Sequence, residues 1–597
     1  MLFTVKSRLK YLSLDLRSLA LGRIFIGLVL IVDWFYRTAN AFDFYSDLGI
    51  LPRGPVTSEF SNPYFFSLLF VAGKPIYIYL LFLIGLLSYL GFTFGYKTKL
   101  SNFMTWLFFV SLSARTGIVS HAGDDILRLA LFWFMFLPSH RFFSVDQSLL
   151  ETKIGPQPIT PEETRILNVA SLALMLQLLI MYFATALLKW HPIWHTEASA
   201  IYYALQLDQF LTPFGELFRT LPYKFFQLMT WVVLAVELIF PLLFFVPWRN
   251  NALRWVLIIT FIGFHLGLFS VFYLGFFPWV CMAYWLIFIP SDFWDKLFNY
   301  YRKNQSGITI YYDPDCGICR SICYLIQGIL GLFFVNIYPG TDKEIHKKIL
   351  DQNSWLIKGK DDHVYFQFDA FVYLISQSYL SPLSYFLNIA PLKNIGNAIY
   401  ETIANNRKRY IGWLAWLKIF KNPKLTYWPY QALAFFFLFI VLWWNINSFD
   451  KDGFDKLPKS IQIIGSVFRL HQKWTMFAPF PAMEDGWVIT EGLLKNGEHW
   501  DVLNDRPVNF EMPRRMSEMF PNTLWRKYFN NLRLQEYENY RLYFGRYICR
   551  LWNDKHEGQQ QVDSFKIYFM LDMSKPRGTP KDPLAHEMLW SHGCFIK

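Results

Sequence analysis

Apolar residues run along this chain in long blocks, and those blocks set the first picture. The clearest are LALGRIFIGLVLIVDWF (19–35), IYIYLLFLIGLLSYLGFTF (76–94) and FMTWLFFVSLSARTGIV (103–119). ILRLALFWFMFLP (126–138), ILNVASLALMLQLLIMYFATALL (166–188), FQLMTWVVLAVELIFPLLFFV (226–246) and ALRWVLIITFIGFHLGLFSVFYLG (252–275) follow. FPWVCMAYWLIFIP (277–290) is short and reads as partly re-entrant, and YQALAFFFLFIVLWWNI (430–446) stands apart from the rest. Roughly 20 helical residues cross the hydrocarbon layer, so the pattern predicts a polytopic α-helical membrane protein with about nine spans. The first block is too long for a cleaved signal peptide, and no small-residue cleavage site follows it.

Between the last two blocks the period changes. GITIYY (307–312) is a strand pattern, and the following DPDCGICRSICYLIQGIL spaces its apolar residues as a helix does. LFFVNIY (332–338) is a second strand, SWLIKGK and HVYFQFD form a hairpin around Lys360-Asp361-Asp362, and DAFVYLISQSYL (369–380) is helical. Beyond the late span, Asn496-Gly497 is a hairpin signal and SFKIYFMLDM (564–573) a further strand. Four parts result: a membrane domain of about eight helices at 1–303, an inserted α/β domain at 304–425, one more span at 426–449 and a C-terminal β-rich α+β domain at 450–597.

Composition fits this division. Of 597 residues, 54% are hydrophobic and only 17% charged, against about 25% charged in soluble chains, which excludes a disordered, collagenous or purely soluble protein. The net charge of +12, from 57 Lys+Arg and 45 Asp+Glu, is most simply the excess of basic residues in cytoplasmic loops. No basic stripe lies on a reading motif, so no nucleic-acid partner is expected. With the N-terminus inside, Lys6, Arg8, Lys10, Arg17, Lys97, Lys99, Arg141, Lys153, Arg165, Arg249, Arg254, Lys296, Arg302 and Lys303 fall on the inner side. Only Arg37, Arg53, Lys74, Lys189, Arg219 and Lys224 fall outside. This bias predicts an inner-membrane protein whose 304–425 part is cytoplasmic, in agreement with Asn406-Arg407-Lys408-Arg409, and whose 450–597 part is extracytoplasmic.

Ionisable residues inside apolar blocks are functional candidates by default. Here they include Arg23, Asp33, Lys189, Glu237 and His265, with His121, Asp124, Asp125 and Arg128 at a boundary. Each also reads as an ion-pair or hydrogen-bond partner holding helices together. SLDLRSLALGRIFIGLVLIVDWFYR followed by FYSDLGILPR, then FLPSHRFFSVD (136–146), Glu237 with Pro241, and FHLGLFSVFYLGFFPW (264–279), resembles the HTTM family, the "horizontally transferred transmembrane" domain, over residues 10–290. That family includes vitamin K-dependent γ-glutamyl carboxylase. YFATALLKWHPIW (182–194) is similar to the segment that carries the carboxylase's catalytic Lys five residues before a Trp, a spacing matched by Lys189 and Trp194. The resemblance implies a base acting on a reduced quinone. A Lys189 desolvated by Leu187, Leu188 and Trp190 would have the depressed pKa that role needs. This chain departs from the carboxylase in having Leu188-Lys189 where two adjacent Lys stand. It also has Asp124 near the place of an essential His, with His121 displaced by about two positions.

Six Cys are too few for a disulfide scaffold, yet Cys316, Cys319 and Cys323 fall close together. A strand, then Cys-Gly-Ile-Cys at a helix start, then more strands, is the thioredoxin pattern. Cys316 is expected at or just before the helix N-terminus, where free N–H groups and the dipole stabilise a thiolate. Cys319, one turn in, would resolve the mixed disulfide. Cys323 is a buried packing residue or a backup thiol, and Asp313 and Asp315 disfavour the thiolate. A zinc site is the competing reading, but His346 and His363 are isolated and no second Cys pair is near, so redox chemistry is favoured and no metal is expected. YYDPDCGIC also resembles the DCC family of thiol–disulfide oxidoreductases, with a motif of roughly YDGxCxxC. Tyr312, Asp313, Cys316 and Cys319 match, Pro314 replaces the family Gly, and AIYETIANNRKRYIGWL (398–414) fits that family's ending.

In the tail, QKWTMFAP and RYICRLWN (546–553) look like the segment that often follows HTTM helices. Cys549 and Cys594 would face an oxidising space and pair, or stay as two buried thiols. Three functions remain. The leading one is a membrane-bound thiol–disulfide oxidoreductase of the protein-disulfide reductase type that uses Cys316 and Cys319 without a cofactor. Its substrate is a protein thiol or disulfide, its surroundings are membrane lipid, and its membrane domain is a candidate binder of a quinone or other lipophilic molecule. Tyr312, Asp313, Cys323, His121, Asp124, Glu237 and His265 are accessory candidates. The second is a carboxylase-like enzyme with Lys189 as base, and the third a non-enzymatic membrane scaffold.

Overall fold

The computed structural model describes residues 7–155, 162–406, 428–450, 456–580 and 582–595. Six of its helices are long and apolar enough to cross a membrane. They are α1 (Leu16–Ala39), α2 (Pro75–Phe94), α6 (Val169–Leu188), α7 (Tyr223–Leu243), α8 (Asn250–Val271) and α16 (Trp428–Asn447). Each presents apolar side chains outward, such as Leu83 and Leu87 on α2, Trp231 and Ile239 on α7, and Phe435 and Phe439 on α16. Faces of that size suit hydrocarbon rather than water.

The other three expected spans are helical but shorter or more polar. The block at 103–119 is α3 (Thr98–Arg115), 126–138 contains α4 (Ala122–Phe134), and 277–290 is α9 (Phe277–Trp285) continued by one tight turn, Leu286–Phe288. Their surroundings explain the difference. Every residue of α4 from Ile126 to Phe134 is buried. A helix enclosed by protein on all sides can carry Asp124, Asp125 and Arg128 and stop early, because no lipid-facing surface fixes its length.

Local chemistry sets the helix ends. Asp15 accepts from the Arg17 backbone N–H to start α1, and Asn168 with Ser171 caps α6 reciprocally. His121 and Asp124 do the same for α4. Gly95 ends α2 at φ +68°, where a Cβ would stand 2.5 Å from an Arg23 guanidinium nitrogen. Arg23 donates to the carbonyls of Ser139, at 2.7 Å, and Phe143.

The inserted unit follows α10 (Ser291–Gln305). It comprises β1 (Thr309–Tyr312), α11 (Cys319–Leu330), β2 (Asn336–Pro339), α12 (Lys343–Asp351), β3 (Leu356–Lys358), β4 (Val364–Phe366), α13 (Gln367–Ser376), α14 (Ser381–Leu387) and α15 (Ala390–Asn405). The sheet order is β2-β1-β3-β4, with β1 parallel to β2 and antiparallel to β3. Ile310 and Ile357, paired across β1 and β3, are fully buried. The unit docks on one end of the helical bundle. Gly328 of α11 crosses α5 (Val145–Ile154) so closely that a Cβ would stand 2.2 Å from Ser148 Oγ, and Phe333 stacks on Phe298 of α10 with centroids 5.0 Å apart. The basic run Arg407-Lys408-Arg409 lies outside the described residues.

The C-terminal unit contains β5 (Glu484–Leu494), β6 (His499–Asp501), β7 (Arg506–Pro507), α17 (Thr523–Arg533), α18 (Tyr540–Asn553), β8 (Val562–Met573) and β9 (Ala585–Gly593). Its sheet runs β9-β8-β5-β6-β7, all antiparallel, and Asn496-Gly497 turns β5 into β6. RYICRLWN is part of α18, and Cys549 on it is bonded to Cys594 just past β9. This unit caps the opposite ends of the same helices. Asn522 donates to Asn40 just past α1 at 2.8 Å, Asn531 to the Ile118 carbonyl at 2.5 Å, and Arg526 to the Gln209 carbonyl at 3.0 Å.

Asp485 sits in that junction, buried, accepting from the backbone N–H groups of Gln209 at 3.3 Å and Gly486 at 3.0 Å. Burial raises its pKa to about 7 against those hydrogen bonds, with the charge of Asp208 adding to the rise. The unfolded chain releases this proton near pH 4. Between about pH 4 and 7 the folded state therefore holds more protons, and this group's contribution to stability declines as pH rises through that window. Asp485→Asn is expected to unfold at higher temperature than the parent at pH 8, by about 1–3 kcal/mol, with the difference gone near pH 4. Thermal unfolding in detergent checks this, and equal melting at both pH values contradicts it.

Candidate functional site

The thiol pair lies where β1 leaves the sheet. After Tyr312 the chain turns through Asp313-Pro314-Asp315, with the Asp315 N–H donating to Asp313 Oδ1 at 3.0 Å and the Cys316 N–H to the Asp313 carbonyl at 3.2 Å. The Asp313 side chain is thus the pivot of the turn. The sulfurs of Cys316 and Cys319 are bonded, with Cα atoms 5.4 Å apart. Helix α11 starts at Cys319 itself, and no side chain caps it. Cys319 therefore holds the first helical position and Cys316 the turn before it, rather than Cys319 lying one turn inside. Both sulfur-bearing residues are partly exposed. Cys323, 2% exposed, is in the core of the unit, and burial pushes its thiol up to about 12. A thiol held that firmly protonated is a poor nucleophile.

Cys319 and Cys323 form part of one wall of an apolar groove of about 300 Å³. Tyr312, Asp313, Trp355, Phe368 and Phe371 also line it, and α15 contributes Ile399 and Ile403. Ile399 is 56% and Ile403 49% exposed, so α15 leaves the groove open rather than sealing a core. Gly396 keeps α15 close, since a Cβ there would stand 2.3 Å from the Phe368 ring. The sequence reading identified the thiols and missed this wall. The available signal was the four-residue spacing of Ile399 and Ile403 in a stretch, 398–414, read only as a family ending.

The membrane-domain candidates fall into three separate groups. Lys189 caps α6, its Nζ bonded to Glu237 Oε2 of α7 and 4.4 Å from the centre of the Trp194 ring. Of the residues expected to desolvate it, Leu187 and Trp190 are exposed and Leu188 is half-buried, and Glu237 and Trp194 stand against its Nζ. Asp124 forms an ion pair with Arg37 at 2.6 Å, Arg37 holds Asp33 at 2.7 Å, and His121 Nδ1 is 3.9 Å from Asp124. His265 shares a hydrogen bond with the Tyr182 hydroxyl at 2.7 Å, and that hydroxyl also accepts from the Trp285 indole at 3.0 Å. None of these groups meets the thiols. Trp194 donates to the Phe477 carbonyl at the end of the bundle covered by the C-terminal unit, whereas the thiol unit sits on the other end. Among the described residues no cluster of three or more His, Cys, Asp or Glu is arranged to hold a metal ion.

Comparison with known families gives two matches in the one chain. Residues 11–294 match the HTTM domain, and residues 310–413 match the DCC1-like thiol-disulfide oxidoreductase. The expected fusion is therefore present, and residues 407–413 of the second match lie outside the described residues. No curated protein and no solved structure matches the chain. Together the two matches and the six apolar helices support a membrane thiol–disulfide oxidoreductase in general terms.

The Lys189–Glu237 pair is buried on both sides. Removing one partner leaves an uncompensated charge, which costs about 3–5 kcal/mol. Glu237→Gln is expected to lower the unfolding temperature in detergent by that equivalent. Joining Lys189→Met to Glu237→Leu should recover most of the loss. A single variant that melts with the parent contradicts the pairing.

Proposed function

We propose that the chain is a membrane-held protein-disulfide reductase acting through Cys316 and Cys319. The observation that carries this reading is the bonded pair at a strand-to-helix turn, inside the DCC1-like match and at the edge of an apolar groove. In the reduced pair, the Cys316 thiolate attacks one sulfur of a substrate disulfide and expels the other as thiolate. The Cys319 thiolate then attacks Cys316, releasing the substrate's second thiol and closing the Cys316–Cys319 bond. The substrate gains two electrons, the pair loses two, and a dithiol donor restores it. The strand order β2-β1-β3-β4, a parallel βαβ pair flanked by an antiparallel hairpin, supports a thioredoxin-like insert. The groove takes an apolar side chain next to the substrate's cysteine, which gives the exchange its choice of protein.

In this reading α3, α4 and α9 cross with the six longer helices, making nine crossings. The thiol unit is then on the cytoplasmic face of the inner membrane and the C-terminal unit outside. Docking of the two units on opposite bundle ends, the basic bias of the inner loops and the Cys549–Cys594 bond support this sidedness. A quinone in the membrane domain would meet His265, whose buried Nδ1 has no partner while Nε2 is engaged by Tyr182. Bound there it would supply a two-electron acceptor. The carboxylase-like reading uses Lys189 as base, and since its Nζ is engaged by Glu237 Oε2 a substrate would have to displace that contact.

The test is trapping in the full-length protein. Cys319→Ser should accumulate mixed disulfides through Cys316, and Cys316→Ser should not. Adding Ile399→Asp to the trap should cut the yield roughly ten-fold, since the loss of one apolar contact is worth about 1.5–3 kcal/mol. In sealed vesicles of native orientation, a membrane-impermeant maleimide should reach Cys316 of the Cys319→Ser protein only after permeabilisation. No trapped species with either variant would leave the scaffold reading, and labelling before permeabilisation would reverse the sidedness.

A further inference from the structure

Relative to the helical bundle, the inserted unit has a near end and a far end. Gln305 closes α10, and its Nε2 donates to the carbonyls of Gly331 and Gln377, both at 3.1 Å. The ends of α11 and α13 therefore lie beside α10, at the near end. The thiols are at the far end, because Cys319 opens α11, and at 1.5 Å per residue that helix holds it about 18 Å from Leu330. α15 runs the same way. Asn353 donates to Asn405 Oδ1 at 2.8 Å, just before β3, whose Leu356 pairs with Tyr311 where β1 runs toward the thiol turn. α14 joins the end of α13 to the start of α15, so it sits at the near end, next to the membrane.

That end is bare and apolar. No Asp, Glu, Lys, Arg or His occurs between Asp369 and Lys393. On α14 and the turn after it Ser384 is buried, while Tyr385 is 80%, Phe386 60% and Ile389 52% exposed. Soluble surfaces rarely show so much apolar side chain in one place. A tyrosine with an apolar body and a polar tip, beside Phe and Ile and without a charge, suits the boundary between headgroups and acyl chains.

α10 supplies the charge that such a boundary attracts. Its Phe293 packs on Trp255 of α8 with centroids 5.6 Å apart, and its Asp295 pairs with Arg17 of α1 at 2.8 Å. α10 therefore leaves from the ends of two spanning helices. Lys296, Tyr300 and Lys303 follow at four- and three-residue spacing, share one face and are all exposed. Basic side chains around an exposed tyrosine fit anionic headgroups. We propose that the thiol unit rests on the membrane through α14. Tyr385, Phe386 and Ile389 enter the headgroup–acyl boundary, and Lys296 and Lys303 meet anionic headgroups. This contact extends the dock made by Gly328 and Phe333 from the bundle onto lipid, and it is independent of the exchange at Cys316 and Cys319.

The test is photo-crosslinking of the full-length protein in liposomes of phosphatidylglycerol and phosphatidylcholine. A benzophenone amino acid replaces Phe386 in one sample and Lys347 in another. Lys347 is exposed on α12, which joins the far ends of β2 and β3. Mass analysis after irradiation should find at least ten times more lipid adduct at position 386 than at 347. Lys296→Gln combined with Lys303→Gln should lower the yield at 386 at least three-fold. Liposomes of phosphatidylcholine alone should do the same, and they read the charge dependence if the double variant does not fold. Equal lipid adduct at the two positions overturns the proposal, as does a yield that neither change lowers. Adducts at 386 made mainly with residues 407–427 of the same chain, or with a second copy, overturn it as well.

Discussion

A charge placed inside an apolar helical layer must be met there by a counter-charge or by backbone carbonyls, and much of this molecule follows from that requirement. Arg37 of α1 sits between Asp33 on its own helix and Asp124 on α4. Lys189 at the end of α6 is closed by Glu237 on α7. These contacts are weak evidence for net stability, because desolvation offsets most of the attraction. They fix register: a helix that slid by one turn would strand a charge. With the helices held in register, the bundle presents two defined ends. The thiol unit docks on one through Gly328 and Phe333, and the C-terminal unit on the other through Asn522, Arg526 and Asn531.

That separation divides the chemistry. The bonded cysteines and their groove belong to one end. The buried Lys189 pair and Asp485 belong to the other. In the proposed reading the thiols meet what reaches the inserted unit, and the polar groups of the membrane domain have no part in that exchange.

Much of the fold was legible because the signals were long or chemically singular. The six lipid-facing helices follow from unbroken apolar runs, and the hairpin at Asn496-Gly497 and the bend before Cys316 follow from turn chemistry. The blocks at 103–119, 126–138 and 277–290 are helical, and what hydropathy did not show is that α4 is enclosed by protein from Ile126 to Phe134. The environment of Lys189 was read from its chain neighbours Leu187 and Trp190, whereas the groups that bury it come from 48 residues away and from the following turn. The groove wall was invisible for the same reason. Partners distant in sequence decide whether an isoleucine stripe is ordinary surface or part of a site.

The central claim is that Cys316 and Cys319 form a working redox couple rather than a fixed staple. The direct measurement is a titration of the full-length protein in its membrane against graded thiol–disulfide buffers, with alkylation and mass analysis of each cysteine. The account predicts one two-electron transition shared by Cys316 and Cys319. Two cysteines that remain bonded, or remain alkylated, across the whole range would contradict it.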